Sequence, residues 1–212
     1  MRLFVAVGIH PEHASKHPMF LAEAINNIRM LKKANQLHAV GEMGLDASKP
    51  IPLVTQERLL LKQLPLVAPL PLILHVRGES RDESGDFIYK HCLNLLIGRL
   101  DRKQKIQLHS FSGSSSTVEN WLVHFPNTFF SFSGLMARFS EAQIRGLKSV
   151  PVSNILFETD SPYLKLAKSS SGAGNHPTNV GEIIRHGARM REESFDDLNR
   201  TNSRNSRGFF GY

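Results

Sequence analysis

The sequence has one cysteine, Cys92, and one tryptophan, and it contains no apolar stretch of membrane-spanning length. A lone cysteine excludes an internal disulfide, so the core must hold the fold, and this fits a reducing compartment. The opening run, Leu3 to Val7, is too short for a leader and ends in Gly-Ile-His-Pro rather than a small-residue cleavage site; it reads as a strand. No Gly-x-Gly-x-x-Gly turn follows any apolar run, which argues against dinucleotide binding. No spacing favours a Ser/His/Asp triad, and Cys92, inside a helical stretch, is a poor nucleophile. Low complexity is confined to Ser169–Gly174, read as a flexible loop at the mouth of a site. Neither charge sign is scarce, but 26 basic residues against 19 acidic ones leave a net charge of +7. That excess attracts polyanions in a salt-dependent way, although ordinary solvated surface explains it equally well. The late arginines, among them Arg185, Arg189, Arg200 and Arg207, read as a solvated helical tail before a DNA patch.

What is present is a repeated pattern. Short apolar runs recur, and most end in a polar residue. Leu3–Val7 leads to Gly8 and His10, and Leu37–Val40 to Glu42. Leu72–Leu74 leads to His75, Ile106–Leu108 to His109, Phe129–Phe132 to Gly134, and Ile155–Phe157 to Glu158 and Asp160. Runs this short, apolar on both faces, suit buried parallel strands. Between and after them, helical spacing spans 20–33, 55–64, 86–97, 116–124, 140–150, 178–191 and 194–207. Ser194 with Asp197 suggests a capping box on the last helix. The whole chain, 1–212, therefore reads as one α/β domain, a strand-helix unit repeated six times with one extra helix.

Polar residues at strand ends are where a TIM-type barrel places its active site; an open doubly wound sheet would do the same. Glu42, His75, His109 and Asp160 each close a different expected strand. Imidazoles and carboxylates converging in this way can hold a divalent cation, which lowers the pKa of bound water and polarises a phosphate. Each has a plainer reading singly: a structural histidine, a capping carboxylate, a turn-initiating Asp160. The coincidence of four favours the site. His10 is expected to line it rather than bind metal. Arg77 offers a phosphate contact or a salt bridge to Glu79 or Asp82. Ser112 lies in a small-residue stretch whose backbone amides are candidates to face an anion.

These residues fall in motifs that together resemble the TatD family of metal-dependent deoxyribonucleases. They are Gly8-Ile9-His10-Pro11, Gly41-Glu42-Met43-Gly44-Leu45-Asp46, Leu74-His75-Val76-Arg77, His109-Ser110-Phe111-Ser112-Gly113, Glu158-Thr159-Asp160-Ser161-Pro162-Tyr163-Leu164, Asn175-His176-Pro177 and the closing Asn205…Phe209-Phe210. The resemblance implies a TIM barrel hydrolysing DNA, often from the 3′ end, with Mg²⁺, Mn²⁺ or Zn²⁺ and no other cofactor. It implies that Glu42 bridges two metals, that His75 and His109 complete one site, and that Asp160 serves the other and accepts the proton of the attacking water.

The family pattern opens with a strand ending in His-x-His, and no such pair occurs here. The expectation is a barrel with about six of eight strands, its first two βα units missing, exposed edges, a fold of reduced stability or one completed by another chain, and one complete metal site in place of two. Ala47 stands where the family often has an aromatic residue. The rival to an active nuclease is a catalytically inactive relative that binds nucleic acid or a protein partner; a metallohydrolase of a small ester is a third reading. DNA is the expected partner, with no membrane, in cytoplasm or nucleus.

Overall fold

The computed structural model describes residues 3–79, 84–166 and 174–211. Six parallel strands form one sheet in sequence order: β1 (Ala6–Val7), β2 (Ala39–Asp46), β3 (Leu72–Arg77), β4 (Ile106–His109), β5 (Thr128–Phe132) and β6 (Ile155–Phe157). Helices α1 (Pro18–Lys33), α2 (Leu53–Gln63), α3 (Asp86–Leu96), α4 (Ser115–His124) and α5 (Glu141–Ser149) connect them. After β6 come α6 (Val180–Arg191) and α7 (Phe195–Phe210). This is the expected α/β architecture, with strands and crossover helices alternating.

The sheet's two faces differ. In β3, Leu72, Leu74 and Val76 point one way and Ile73, His75 and Arg77 the other, by the alternation of a pleated strand. The first set joins the main core, which includes Leu60, Cys92, Trp121, Phe130, Leu147 and Ile184 beneath the helices. The second set faces the concave interior. There a separate small cluster of Ala39, Ile73 and Phe209, with Phe129 and Phe210 against it, lies at the amino ends of the strands. The polar residues of interest lie at the carboxyl ends.

Local chemistry fixes the helix starts. Ser140 and Gln143 form a reciprocal capping box on α5. On α7, Ser194 accepts from the Asp197 backbone N–H, but the reciprocal bond is absent, so the box expected there is only a cap. Asp197 is too short to reach back as Glu or Gln does, and its carboxylate meets Arg200 instead.

Two expectations are corrected. Neither His75 nor Glu42 closes its strand, because β3 runs on to Arg77 and β2 continues to Asp46. For β2 the reason lies in Gly41 and Gly44, whose φ angles are +148° and +149°. A Cβ at Gly41 would lie 2.4 Å from the Ile73 carbonyl oxygen, and one at Gly44 1.9 Å from that of His75. Only glycine lets β2 approach β3 so closely, and the register slips between Val40 and Met43. The second correction concerns the sheet edges. On β6, the free Phe157 N–H donates to Asn202 (2.9 Å), and the Ile155 carbonyl accepts from Asn205 (2.8 Å). Side chains of α7 thus satisfy that edge. The opposite edge is shorter than expected: β1 is only Ala6–Val7, with Leu3 72% and Val5 45% exposed.

Candidate metal centre

The ladder brings the two histidines together. His75 on β3 is in direct register with His109 on β4, and their rings lie 6.5 Å apart. Glu42, from β2, reaches between them. One carboxylate oxygen is 3.7 Å from His75 Nδ1 and the other 3.5 Å from His109 Nε2. Asp160, in the segment after β6, places Oδ1 3.2 Å from the same His109 Nε2. Its φ of +52° is left-handed, a conformation aspartate tolerates better than most residues. All four expected ligands therefore line one cleft of roughly 570 Å³ at the carboxyl ends of the strands.

His10 enters the same cluster. Its Nδ1 accepts from the Glu12 backbone N–H at 3.3 Å, which leaves Nε2 as its other ring nitrogen. Its ring meets His75 edge-on, with 4.3 Å between centroids. Donor atoms of His10, Glu42 and His75 all lie within 4.8 Å of one another. Two ligands held at about 2.0–2.1 Å around a tetrahedral cation are about 3.3 Å apart, so the separations at Glu42 and Asp160 suit a shared cation.

Each imidazole has a carboxylate behind it, one buried and one partly buried, and reasoning from the sequence missed both. Asp46, fully buried, accepts from His75 Nε2 at 3.2 Å. Its other oxygen accepts from the Ser48 backbone N–H and hydroxyl, while Gln56 clamps its backbone N–H and carbonyl at 2.7 and 3.0 Å. Glu158 accepts from His109 Nδ1 at 2.9 Å, from the Ser110 N–H at 2.6 Å and from Gln107 at 2.9 Å. A carboxylate on one ring nitrogen fixes the tautomer and aims the other nitrogen at a cation.

The electrostatics follow from this pairing. Burial disfavours charge on Glu42, but hydrogen bonding to His75 and the nearby His109 outweigh it and hold the carboxyl below its usual range. Burial likewise opposes ionisation of Asp46, yet His75 and Ser48 bring it down to about 2. His75 and His109 move the other way. Burial opposes their charge, but Asp46 and Glu42 raise His75, and Glu158 and Asp160 raise His109 well above the ordinary imidazole value. His10 is brought down to about 4 by burial and by neighbouring His75, so it stays neutral.

Arg77 also lines the cleft, as do Lys49 and Tyr163. Among the described residues Arg77 makes no ion pair with Glu79; Asp82 lies outside the described residues, as does most of the expected mouth loop, 169–173. Ser112 is not among the residues lining the cleft, and the amides of its stretch are spent internally. The Ser110 N–H goes to Glu158, the Phe111 N–H to the Ser131 carbonyl, and the Ser112 N–H to the Tyr89 hydroxyl. His176 caps the turn before α6 rather than facing the cleft.

The family described as TatD related DNase matches residues 1–211. The human 3′-5′ RNA nuclease TATDN2 is 28% identical over 197 residues, covering 89% of this chain and 24% of that protein. The chain thus spans about a quarter of the length of that relative. The 3′-5′ ssDNA/RNA exonuclease TatD of Enterobacter lignolyticus is 27% identical, covering 99% of this chain and 78% of its own. Among solved structures, YJJV, a TatD homologue of Escherichia coli K12, superposes with a TM-score of 0.79 at 26% identity, over 99% of this chain and 77% of that one. A TatD family hydrolase from Entamoeba histolytica gives 0.80 at 19% identity, over 99% and 75%, and so speaks to the fold alone.

Proposed function

Because the chain belongs to the TatD related DNase family, we propose that it is a metal-dependent nuclease hydrolysing phosphodiester bonds of single-stranded nucleic acid. The observation that carries this reading is the placement of Glu42 between His75 and His109, with a further carboxylate behind each imidazole. The bacterial relatives named as 3′-5′ ssDNA/RNA exonucleases support the substrate class and suggest attack from the 3′ end.

The donor set fits divalent metal. His75 and His109 offer neutral nitrogens once their second protons are lost, Glu42 a carboxylate able to serve two positions, and Asp160 and His10 further donors. Mixed nitrogen and oxygen ligands suit Zn²⁺ or Mn²⁺, and Mg²⁺ where carboxylates dominate. When bound, such a cation would act as a Lewis acid toward a water and a phosphate oxygen. The chain's own residues do the rest. Asp46 and Glu158 hold the imidazoles in orientation. Asp160, at the open side, takes the proton from the attacking water. Arg77 holds a phosphate oxygen, and Ser112 has a place only if the substrate extends beyond the cleft. Soluble nucleic acid of the cytoplasm or nucleus is the natural substrate pool, and among the described residues no helix is long and apolar enough to cross a membrane.

The test is degradation of end-labelled single-stranded DNA and RNA by the purified chain in Mg²⁺ or Mn²⁺ against EDTA. Metal-dependent products that vanish with Glu42→Ala support the proposal. No products from folded protein would favour the alternative of an inactive relative that binds nucleic acid or a protein partner.

A further inference from the structure

The cleft holds one large aromatic side chain in a position that core packing does not explain. Tyr163 lines the cleft and is 71% exposed. The other strongly exposed large apolar side chains, such as Leu3, Met19, Phe20 and Phe87, lie on the β1 edge or on helix surfaces and do not line it. An isolated exposed apolar side chain needs no explanation. An aromatic ring standing beside a ligand cluster does.

The backbone beneath Tyr163 is fixed. The Tyr163 N–H donates to the Asp160 carbonyl at 2.8 Å, closing a turn that contains the candidate proton acceptor. Buried Asn175 ties the turn down: its amide donates to the Thr159 carbonyl at 2.5 Å and to the Tyr163 carbonyl. The Asn175 carbonyl oxygen is in turn held by Asn179 at 3.2 Å. The ring is thus presented to solvent from a clamped turn, so little backbone freedom is lost when something docks on it. Arg77 and Lys49 line the same cleft.

An exposed aromatic face beside cations is how proteins grip single-stranded nucleic acid: the ring stacks on a base, and the cations meet phosphates. We propose that Tyr163 is the base-stacking platform of this cleft, seating a nucleobase next to the phosphodiester presented to Glu42 and Asp160. This rests on the nucleic-acid reading above and adds a base-dependent, sequence-tolerant subsite to it. Tyr163 is a binding residue here and takes no part in proton transfer.

The experiment measures binding by fluorescence anisotropy of the full chain in EDTA, so it does not depend on turnover. The probes are a labelled short oligothymidylate and an abasic oligomer of the same length. Stacking one base typically changes affinity by roughly tenfold. The expected result is that Tyr163→Ala weakens oligothymidylate binding about tenfold, leaves abasic binding unchanged, and is rescued by Tyr163→Phe. Arg77→Ala should weaken both probes alike, since it meets phosphate. Equal losses on both probes for Tyr163→Ala, or no loss on either, would overturn the proposal. Absence of hydrolysis in the metal assay would count against the nuclease reading and leave this binding result to stand or fall by itself.

Discussion

The concave side of the sheet has two ends built on opposite principles. At the carboxyl ends of the strands, histidines and carboxylates are packed within hydrogen-bonding reach of one another. At the amino ends, Ala39, Ile73 and Phe209 form a small apolar cluster, with Phe209 ring-packed on Phe129 at 5.4 Å and on Phe210 at 5.0 Å. Phe210 in turn meets Phe4, 5.3 Å away. The strands between are only two to eight residues long, so the two ends share the same short segments. The polar end holds charge that water would otherwise screen. The apolar floor is built against the last turn of α7, which supplies Phe209 and Phe210. The candidate site sits at one end and an apolar support at the other.

The comparison predicts separable failures. The largest effect belongs to the polar end. Glu42→Ala should lower hydrolysis by about 10²–10³-fold or more while the thermal midpoint holds, since loss of one preorganised group costs this much. A matching loss of folding in thermal melts would mean that the charged cluster is structural. Next comes the floor. Phe209→Ala removes a fully buried ring and should cost about 3–5 kcal/mol in urea unfolding, with the folded fraction still binding Mn²⁺ normally by calorimetry. Weakened Mn²⁺ binding in fully folded protein would show the two ends to be coupled. Smaller again is the effect behind the expected ligands. Glu158→Gln or Asp46→Asn should weaken metal affinity by about 10–100-fold, and Asp46→Asn should also lose, at neutral pH, the roughly 1–2 kcal/mol that its ionised carboxyl contributes.

How far this division was legible in the sequence differs along the chain. His75 and His109 could be found because each ends a short apolar run, and strand register alone then sets them side by side. The length of β2 was not legible. Gly41-Glu42-Met43-Gly44 reads as the end of a strand, and only the Ile73 and His75 carbonyls pressed against Gly41 and Gly44 reveal that the strand continues. Asp46 and Glu158 stood in the quoted motifs, yet nothing local says which carboxylate ligates and which stands behind. That depends on which side of the imidazole each reaches, a property of tertiary packing. The Ser110–Ser112 amides illustrate the converse. Small residues after a strand suggested an anion site, but their N–H groups are consumed by Glu158, Ser131 and Tyr89. Asn205 and Phe209-Phe210 stood among the family motifs, yet the role of α7 was not legible for the same reason. A polar, arginine-rich tail gives no local sign that Asn202 and Asn205 complete the edge of β6.

The smallest predicted effect is a pH dependence that also belongs to the polar end. Asp46 ionises at about 2 in the folded protein against an ordinary value of 3.8. A carboxyl whose folded pKa is depressed stabilises the fold above its unfolded pKa, and that contribution is lost as pH falls through the folded value. The metal-free protein should therefore lose about 1–2 kcal/mol of stability from this group between about pH 4 and pH 2, read from urea midpoints at a series of pH values. Asp46→Asn should flatten that part of the curve, because no proton is then taken up there on unfolding. Phe209→Ala, acting at the uncharged end, should lower the whole curve without changing its slope. Should Phe209→Ala change the acid slope as well, the floor would have to be setting the solvation of Asp46, and the two ends would form one cooperative unit.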